Sequence, residues 1–137
     1  MKVIFPNTLD VRLHVYNEGV VWEFLAPFYA IYDANAPQQR IKRVPPGRMV
    51  DFASVPRLPI VYLIYADRFH VAAAVHDNDY SVGGTEADRR QADEDFLTGM
   101  LATVNDNQTE SHARDMYAAV RTFGGKHFKL HDKGNSP

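Results

Sequence analysis

The chain has 137 residues, of which 45% are hydrophobic and 12% aromatic. This length and composition predict one globular domain, residues 1–137, with its own core, and leave little room for a second. The formal net charge of -2 argues against an overall basic field that would attract nucleic acid or an anionic membrane. We therefore expect no sequence-specific binding of nucleic acid.

Cysteine is absent, which excludes disulfides, thiol catalysis and thiolate metal sites. His, Asp and Glu remain as the strong side-chain metal ligands. The apolar run near the N-terminus is too short for the core of a signal peptide, and no apolar run reaches the roughly 18 residues that a transmembrane segment needs. The sequence predicts a soluble protein without a signal peptide.

Residues 1–50 have the pattern of β-strands. Val11, Leu13 and Val15 alternate with polar residues, and residues 20–25, 28–32 and 40–44 include further candidate strands, two of them rich in β-branched and aromatic side chains. We predict an antiparallel β-meander of three or four strands that ends at Pro45-Pro46-Gly47.

Residues 66–124 are predicted to be mainly helical. A first helix runs from a cap at Asp67 to about Tyr80 and is broken by Gly83-Gly84. Thr85, with Asp88 three residues later, resembles a capping box and starts a second helix. A third helix is predicted from about Glu110 to Phe123, with Thr109 as its cap.

Residues 125–137 are polar and without periodicity, so we expect a frayed tail. The predicted fold class is α+β, with the N-terminal antiparallel meander packed against about three C-terminal helices.

Asp93 falls on the apolar stripe of the second predicted helix, where a carboxylate is costly unless it has a partner. His76 lies on the apolar face of the preceding helix, with Tyr80 one turn further on. A short connection between two helices brings such faces together. Two interpretations stay open: a histidine oriented by a buried aspartate as a general base, or a hydrogen bond that only ties two helices.

Asp77 is turned about 100° round the helix from His76 and is a candidate ligand for a divalent cation, calcium or zinc. Asp51, in the segment Asp51-Phe52-Ala53-Ser54-Val55-Pro56-Arg57 between the strand and helix halves, is a candidate second ligand. The alternatives are a solvated Asp77 and a purely local turn at Asp51 and Ser54.

The chain resembles a family of small phage, prophage and bacterial proteins known as domain of unknown function 1353. The matching pieces lie in order between about Val44 and Gly124: Val44-Pro45-Pro46-Gly47, the Asp51-to-Arg57 segment, Ala74-Val75-His76-Asp77 with Tyr80, Ala92-Asp93 with Phe96 and Met100, and Met116-Tyr117 through Val120-Arg121 to Phe123-Gly124. The resemblance supplies no activity, but it implies a phage or prophage setting.

A more distant resemblance concerns about thirty residues. His-Asp-x-x-Tyr on one helix and Ala-Asp-x-x-Phe on the next look like the catalytic core of phospholipase A2, particularly the cysteine-poor form in parvovirus capsids. This resemblance implies His76 as the base for water, Asp77 as a calcium ligand, Tyr80 as a support and Asp93 as the orienting carboxylate. The glycine-rich loop that precedes the histidine helix in that family has no counterpart here, because no glycine occurs between Leu58 and His76.

Two functions follow as expectations. The first is a virion-associated protein of a bacteriophage particle, in its tail, neck or baseplate, built on a hydrolase-like His/Asp core. Its partners would be other phage structural proteins or copies of itself, in the virion or in the bacterial cytoplasm during assembly. The alternative is an active metal-dependent hydrolase, phospholipase A2-like or degrading the cell envelope, with His76 as general base.

Overall fold

The structure is a computed structural model that describes residues 2–16, 19–33, 37–50, 59–103 and 107–131, with only the backbone described at 19–20, 59–70 and 107–109. The chain divides into two compact units, Met1–Phe52 and Ala53–Pro137. The strands belong to the first unit and the helices to the second. This arrangement confirms the α+β fold class, whereas the assignment of all 137 residues to one domain stays a prediction.

The first unit contains two antiparallel sheets of three strands each, ordered β1-β4-β5 and β2-β3-β6. The strands are β1 (Val3–Ile4), β2 (Val11–Tyr16), β3 (Gly19–Phe24), β4 (Phe28–Tyr32), β5 (Arg40–Val44) and β6 (Met49–Val50). The prediction of a single meander is therefore wrong in detail. It missed β1 and β6, because two residues are too few to show a period-two pattern.

The segment Pro45-Pro46-Gly47 does not end the strand region as predicted. The amide of Arg48 donates to the carbonyl of Pro45 at 3.3 Å, which closes a turn that leads directly into β6. β6 then pairs with β3. Proline and glycine thus mark a connection between strands here and not the boundary of the sheet region.

In the first unit, β4 has the alternating burial of a strand with one covered face. Its buried residues are Phe28, Ala30 and Tyr32. The apolar face of β2 behaves differently, since Leu13 is 55% and Val15 is 77% exposed. Alternation identifies the apolar face of a strand correctly, but it does not say whether another element covers that face.

The second unit contains α1 (Pro59–Val82), α2 (Glu86–Leu101) and α3 (Asn107–Phe123), followed by a 3₁₀ turn at Gly124–His127. α1 packs against α2, and α2 packs against α3. The capping box of Thr85 and Asp88 is confirmed, with both reciprocal hydrogen bonds formed at the start of α2. None of the helices in the described ranges is both long and apolar enough to cross a bilayer.

Two predicted helix starts are wrong. α1 begins at Pro59 and not at Asp67, which fits the preference of proline for the first turn of a helix, where its missing amide proton costs nothing. α3 begins at Asn107, so Thr109 lies inside the helix and is not its cap. Propensity rules place helix ends poorly when more than one candidate cap is present.

The prediction of a frayed tail is also wrong for the residues up to His131. Phe128 is 6% exposed, and the chain after the 3₁₀ turn forms a parallel bridge between Gly84 and Leu130. This part of the tail therefore packs on the connection between α1 and α2. Residues 132–137 lie outside the described residues.

Candidate functional site

Most of the second half of α1 is buried around its whole circumference. Residues 72–80 are all buried, and they include four consecutive polar positions: His76, Asp77, Asn78 and Asp79. Consecutive helical residues are about 100° apart, so these four side chains point to all sides of the helix. With Asp77 only 7% exposed, the interpretation of this residue as solvated is wrong.

Three helices meet at the carboxylate of Asp93, which is completely buried. Its Oδ1 is 2.7 Å from Nε2 of His76 and accepts a 2.6 Å hydrogen bond from the hydroxyl of Tyr80. Its Oδ2 accepts a 2.6 Å hydrogen bond from Nη1 of Arg121. We call Asp93 and its partners His76, Tyr80 and Arg121 the Asp93 network. The predicted contact between His76 and Asp93 is thus present, and both side chains are inaccessible.

The charge on Asp93 is set by competing influences. Burial is the largest and raises its pKa, but the hydrogen bonds of His76 and Tyr80, the charge of His76 and the hydrogen bond of Arg121 together hold the pKa below its usual range. Asp93 is therefore an ionised carboxylate at neutral pH and can only accept hydrogen bonds.

An ionised Asp93 also determines how the imidazole of His76 is protonated. Because Oδ1 cannot donate, Nε2 of His76 must carry the proton in their 2.7 Å contact. In the neutral ring Nδ1 is then the unprotonated nitrogen, and a histidine general base accepts its proton at such a nitrogen. Orienting the tautomer in this way is the usual effect of a carboxylate behind a histidine.

Aromatic rings fix the plane of the imidazole. The ring centroids of His76 and Tyr80 are 4.3 Å apart, and Phe96 stacks on His76 with its centroid at 4.5 Å. Burial and then the hydrogen bond to Asp93 raise the pKa of Tyr80 above its ordinary range, so its hydroxyl stays protonated and keeps donating. The imidazole is consequently held on two sides as well as at Nε2.

Arg121 was not predicted as a site residue. It is partly exposed, and its second guanidinium nitrogen lies 3.5 Å from Glu86. Arg89 fixes this end of α3 by donating to the carbonyls of Val120 and Arg121, each at 3.0 Å. One signal could have identified Arg121: a buried carboxylate needs a cation, and Arg121 borders the apolar stripe of α3 next to Val120.

The predicted site residues thus divide into three groups. His76, Tyr80 and Asp93 come together, whereas Asp77 is buried on another side of α1 and is not a member of the Asp93 network. Asp51, with Ser54 and Arg57, lies outside the described residues. The catalytic and metal-binding roles of these residues stay predictions.

Among the residues that the structure describes, no three side chains of His, Cys, Asp or Glu are placed so that they could hold one metal ion. Asp77 would need further ligands, and the predicted one is Asp51. Binding of calcium or zinc therefore stays a prediction.

The second unit is thus a helical unit organised around a buried His-Asp-Tyr-Arg network. The family model described as "Protein of unknown function (DUF1353)" matches residues 22–120, which is more than half of the chain, and the chain belongs to this family. The match includes His76, Tyr80 and Asp93 and ends one residue before Arg121. No curated protein and no solved structure matches the chain.

Proposed function

We propose that the chain carries a hydrolase site in which His76 is the general base and Asp93 orients it, within a virion-associated protein. One observation carries the chemistry: the buried hydrogen bond between Nε2 of His76 and the ionised Asp93, shared with Tyr80 on the same carboxylate oxygen. A histidine held in this way is prepared to accept a proton at Nδ1.

The proposed reaction is the hydrolysis of a carboxylic ester by water. Nδ1 of His76 takes a proton from a water molecule, whose oxygen forms a bond to the ester carbonyl carbon. The imidazolium that results is stabilised by the negative charge of Asp93, whose Oδ1 lies 2.7 Å from Nε2 of His76. The ester bond to the alcohol then breaks, and His76 returns its proton to the leaving oxygen.

Arg121 has a defined part in this scheme. Together with the hydrogen bonds of His76 and Tyr80, its guanidinium on Oδ2 keeps Asp93 ionised, so that the proton taken from water stays on His76 and is available to the leaving group. Asp77 and Asp51 remain the predicted ligands of a calcium or zinc ion, which would polarise the ester carbonyl. The proton transfers assigned to His76 need no contribution from that ion.

The virion setting rests on the resemblance to the family of phage, prophage and bacterial proteins, and the phospholipid substrate rests on the resemblance to phospholipase A2. A particle-borne esterase of this kind would open a lipid barrier during entry. Its partners would be other structural proteins of the particle or copies of the chain.

A purely structural role is the second candidate, and burial favours it. The side chains of His76 and Asp93 are both 0% exposed, so the Asp93 network also ties α1, α2 and α3 together. On this interpretation the network belongs to a scaffold component of the particle, and loss of His76 lowers stability without removing any activity.

The substitution His76→Gln separates the two candidates. With phosphatidylcholine vesicles containing phosphatidylglycerol and millimolar calcium, we expect the wild-type chain to release fatty acid and His76→Gln to be slower by at least about 100-fold. The exposed His127, changed to glutamine, provides the matched control and should keep the wild-type rate. Free fatty acid is measured over time at a temperature where all three proteins are folded.

Met116→Ala controls for lost stability, because Met116 is buried in α3 and is not a member of the Asp93 network. It should lower the melting temperature while keeping the rate of the folded protein. Absence of fatty-acid release from a folded wild-type chain, or equal rates for wild type and His76→Gln, would reject the hydrolase and leave the structural role.

A further inference from the structure

The chain beyond the 3₁₀ turn is held against the end of α1 by backbone hydrogen bonds. We call residues 128–131 the C-terminal strap. The amide of Lys129 donates to the carbonyl of Tyr80 at 3.2 Å, and the amide of Gly84 donates to the carbonyl of Lys129 at 2.9 Å. The amide of His131 donates to the carbonyl of Gly84, also at 2.9 Å. The strap thereby pairs with one of the last carbonyls of α1, which a helix cannot satisfy internally.

The strap also supplies an aromatic side chain to the Asp93 network. Phe128 is 6% exposed and contacts Tyr80 edge to face, with ring centroids 5.0 Å apart and an interplanar angle of 83°. Phe128, Tyr80 and Ala92 form one buried apolar cluster. Two contacts with the strap therefore hold Tyr80: the amide of Lys129 binds its carbonyl, and Phe128 packs against its ring.

We propose that the C-terminal strap positions Tyr80, with Phe128 as a positioning residue that acts through Tyr80 on the contact between Asp93 and His76. The consequence for catalysis rests on the proposed function, whereas the consequence for the geometry of the network does not.

Phe128 acts in this role by restricting the motion of the Tyr80 ring. The hydroxyl of Tyr80 and Nε2 of His76 bind the same oxygen of Asp93, so a shift of the tyrosine ring changes the hydrogen bond of the histidine. The imidazole of His76 lies on one side of the Tyr80 ring, and Phe128 meets it edge to face. Without Phe128 the ring of Tyr80 has room to move, and the hydroxyl of Tyr80 no longer points in one fixed direction.

A set of three strap variants tests the proposal. Phe128→Ala removes the ring, Phe128→Leu restores most of its volume, and Leu130→Ala truncates a side chain that is 62% exposed on the same segment. The readout is the nuclear magnetic resonance signal of the Nε2 proton of His76, assigned by its loss in His76→Gln. A proton in a buried hydrogen bond to a carboxylate is protected from exchange with water, and this protection reports the geometry directly.

We expect Phe128→Ala to broaden or shift this signal, Phe128→Leu to restore most of it, and Leu130→Ala to leave it unchanged. In the vesicle assay, kcat for Phe128→Ala should fall by about 10-fold to 100-fold with KM nearly constant, because a displaced catalytic group loses turnover and not substrate binding. Met116→Ala, at the same fraction folded, should leave the signal as in the wild type.

An unchanged Nε2 proton in folded Phe128→Ala would overturn the proposal, whatever the assay shows. So would an equal change in Met116→Ala, because the effect would then be a general loss of stability. If the proton signal changes as expected but the wild-type chain has no esterase activity, the positioning role stands and the proposed function fails.

Discussion

Replacing Asp93 by asparagine should lower the free energy of unfolding by about 3 to 5 kcal/mol at neutral pH, the cost typical of breaking a buried ion pair. The amide has nearly the shape of the carboxylate but carries a donor on one side. It would direct this NH₂ group at Arg121 or at the donors His76 and Tyr80, while the charge of Arg121 loses its buried partner and keeps only the longer contact with the exposed Glu86.

The pH dependence of this loss identifies its cause. The pKa of Asp93 in the folded protein lies below its ordinary value of 3.8, so the stability that its ionisation contributes is present above that value. It is lost as the pH falls through the lower pKa of the folded state. The difference between wild type and Asp93→Asn should therefore shrink in strong acid.

Urea unfolding at several pH values, followed by circular dichroism, measures this difference. The control is Asp115→Asn, an exposed aspartate on α3, which should change stability by less than about 0.5 kcal/mol. Similar effects of the two substitutions at neutral pH would mean that the Asp93 network contributes little to folding.

Gly83→Ala should be nearly as damaging, with a loss of about 3 kcal/mol and release of the C-terminal strap. Gly83 has a φ of 74°, a conformation that alanine adopts only with strain. An added Cβ would also overlap the carbonyl oxygen of Lys129, which is a backbone atom of the strap and cannot rotate away. The strap and the Gly83 backbone cannot both keep their positions.

Thermal unfolding, together with the rate of tryptic cleavage after Lys126 and Lys129, checks this expectation. Gly125→Ala is the matched control, because the atoms nearest to a Cβ at Gly125 belong to the flexible guanidinium of Arg89, at an ordinary contact distance of 3.4 Å or more. If Gly83→Ala were cleaved no faster than Gly125→Ala, the strap would not depend on the close approach at Gly83.

The sequence was informative where one periodic pattern extends over many residues. The helical phase of α1 placed His76 and Tyr80 on one face, and the stripe of α2 placed Asp93 among apolar residues. A carboxylate in that position requires a partner, so the contact between His76 and Asp93 could be inferred before the structure. The break at Gly83-Gly84 and the capping box at Thr85 were equally local signals.

What the sequence did not reveal depends on contacts between distant segments. Arg121 reaches Asp93 from a third helix, and the direction of a long side chain at the border of a stripe is set by packing and not by periodicity. Phe128 lies in a short, mostly polar segment after two glycines, where no repeating pattern can identify it as buried. Its burial follows from the hydrogen bonds of the strap, which only the folded chain provides.

The tautomer of His76 tests most directly whether Asp93 orients a general base. Long-range ¹⁵N–¹H correlation spectra of the folded wild-type chain, at a pH where the ring is neutral, distinguish the two ring nitrogens, and His76→Gln assigns the signals. We expect the proton on Nε2, facing Asp93, and an unprotonated Nδ1. A proton on Nδ1 with Nε2 bare would contradict this mechanism, because the lone pair of His76 would then lie on Nε2, facing Asp93, and Nδ1 could not accept a proton from water.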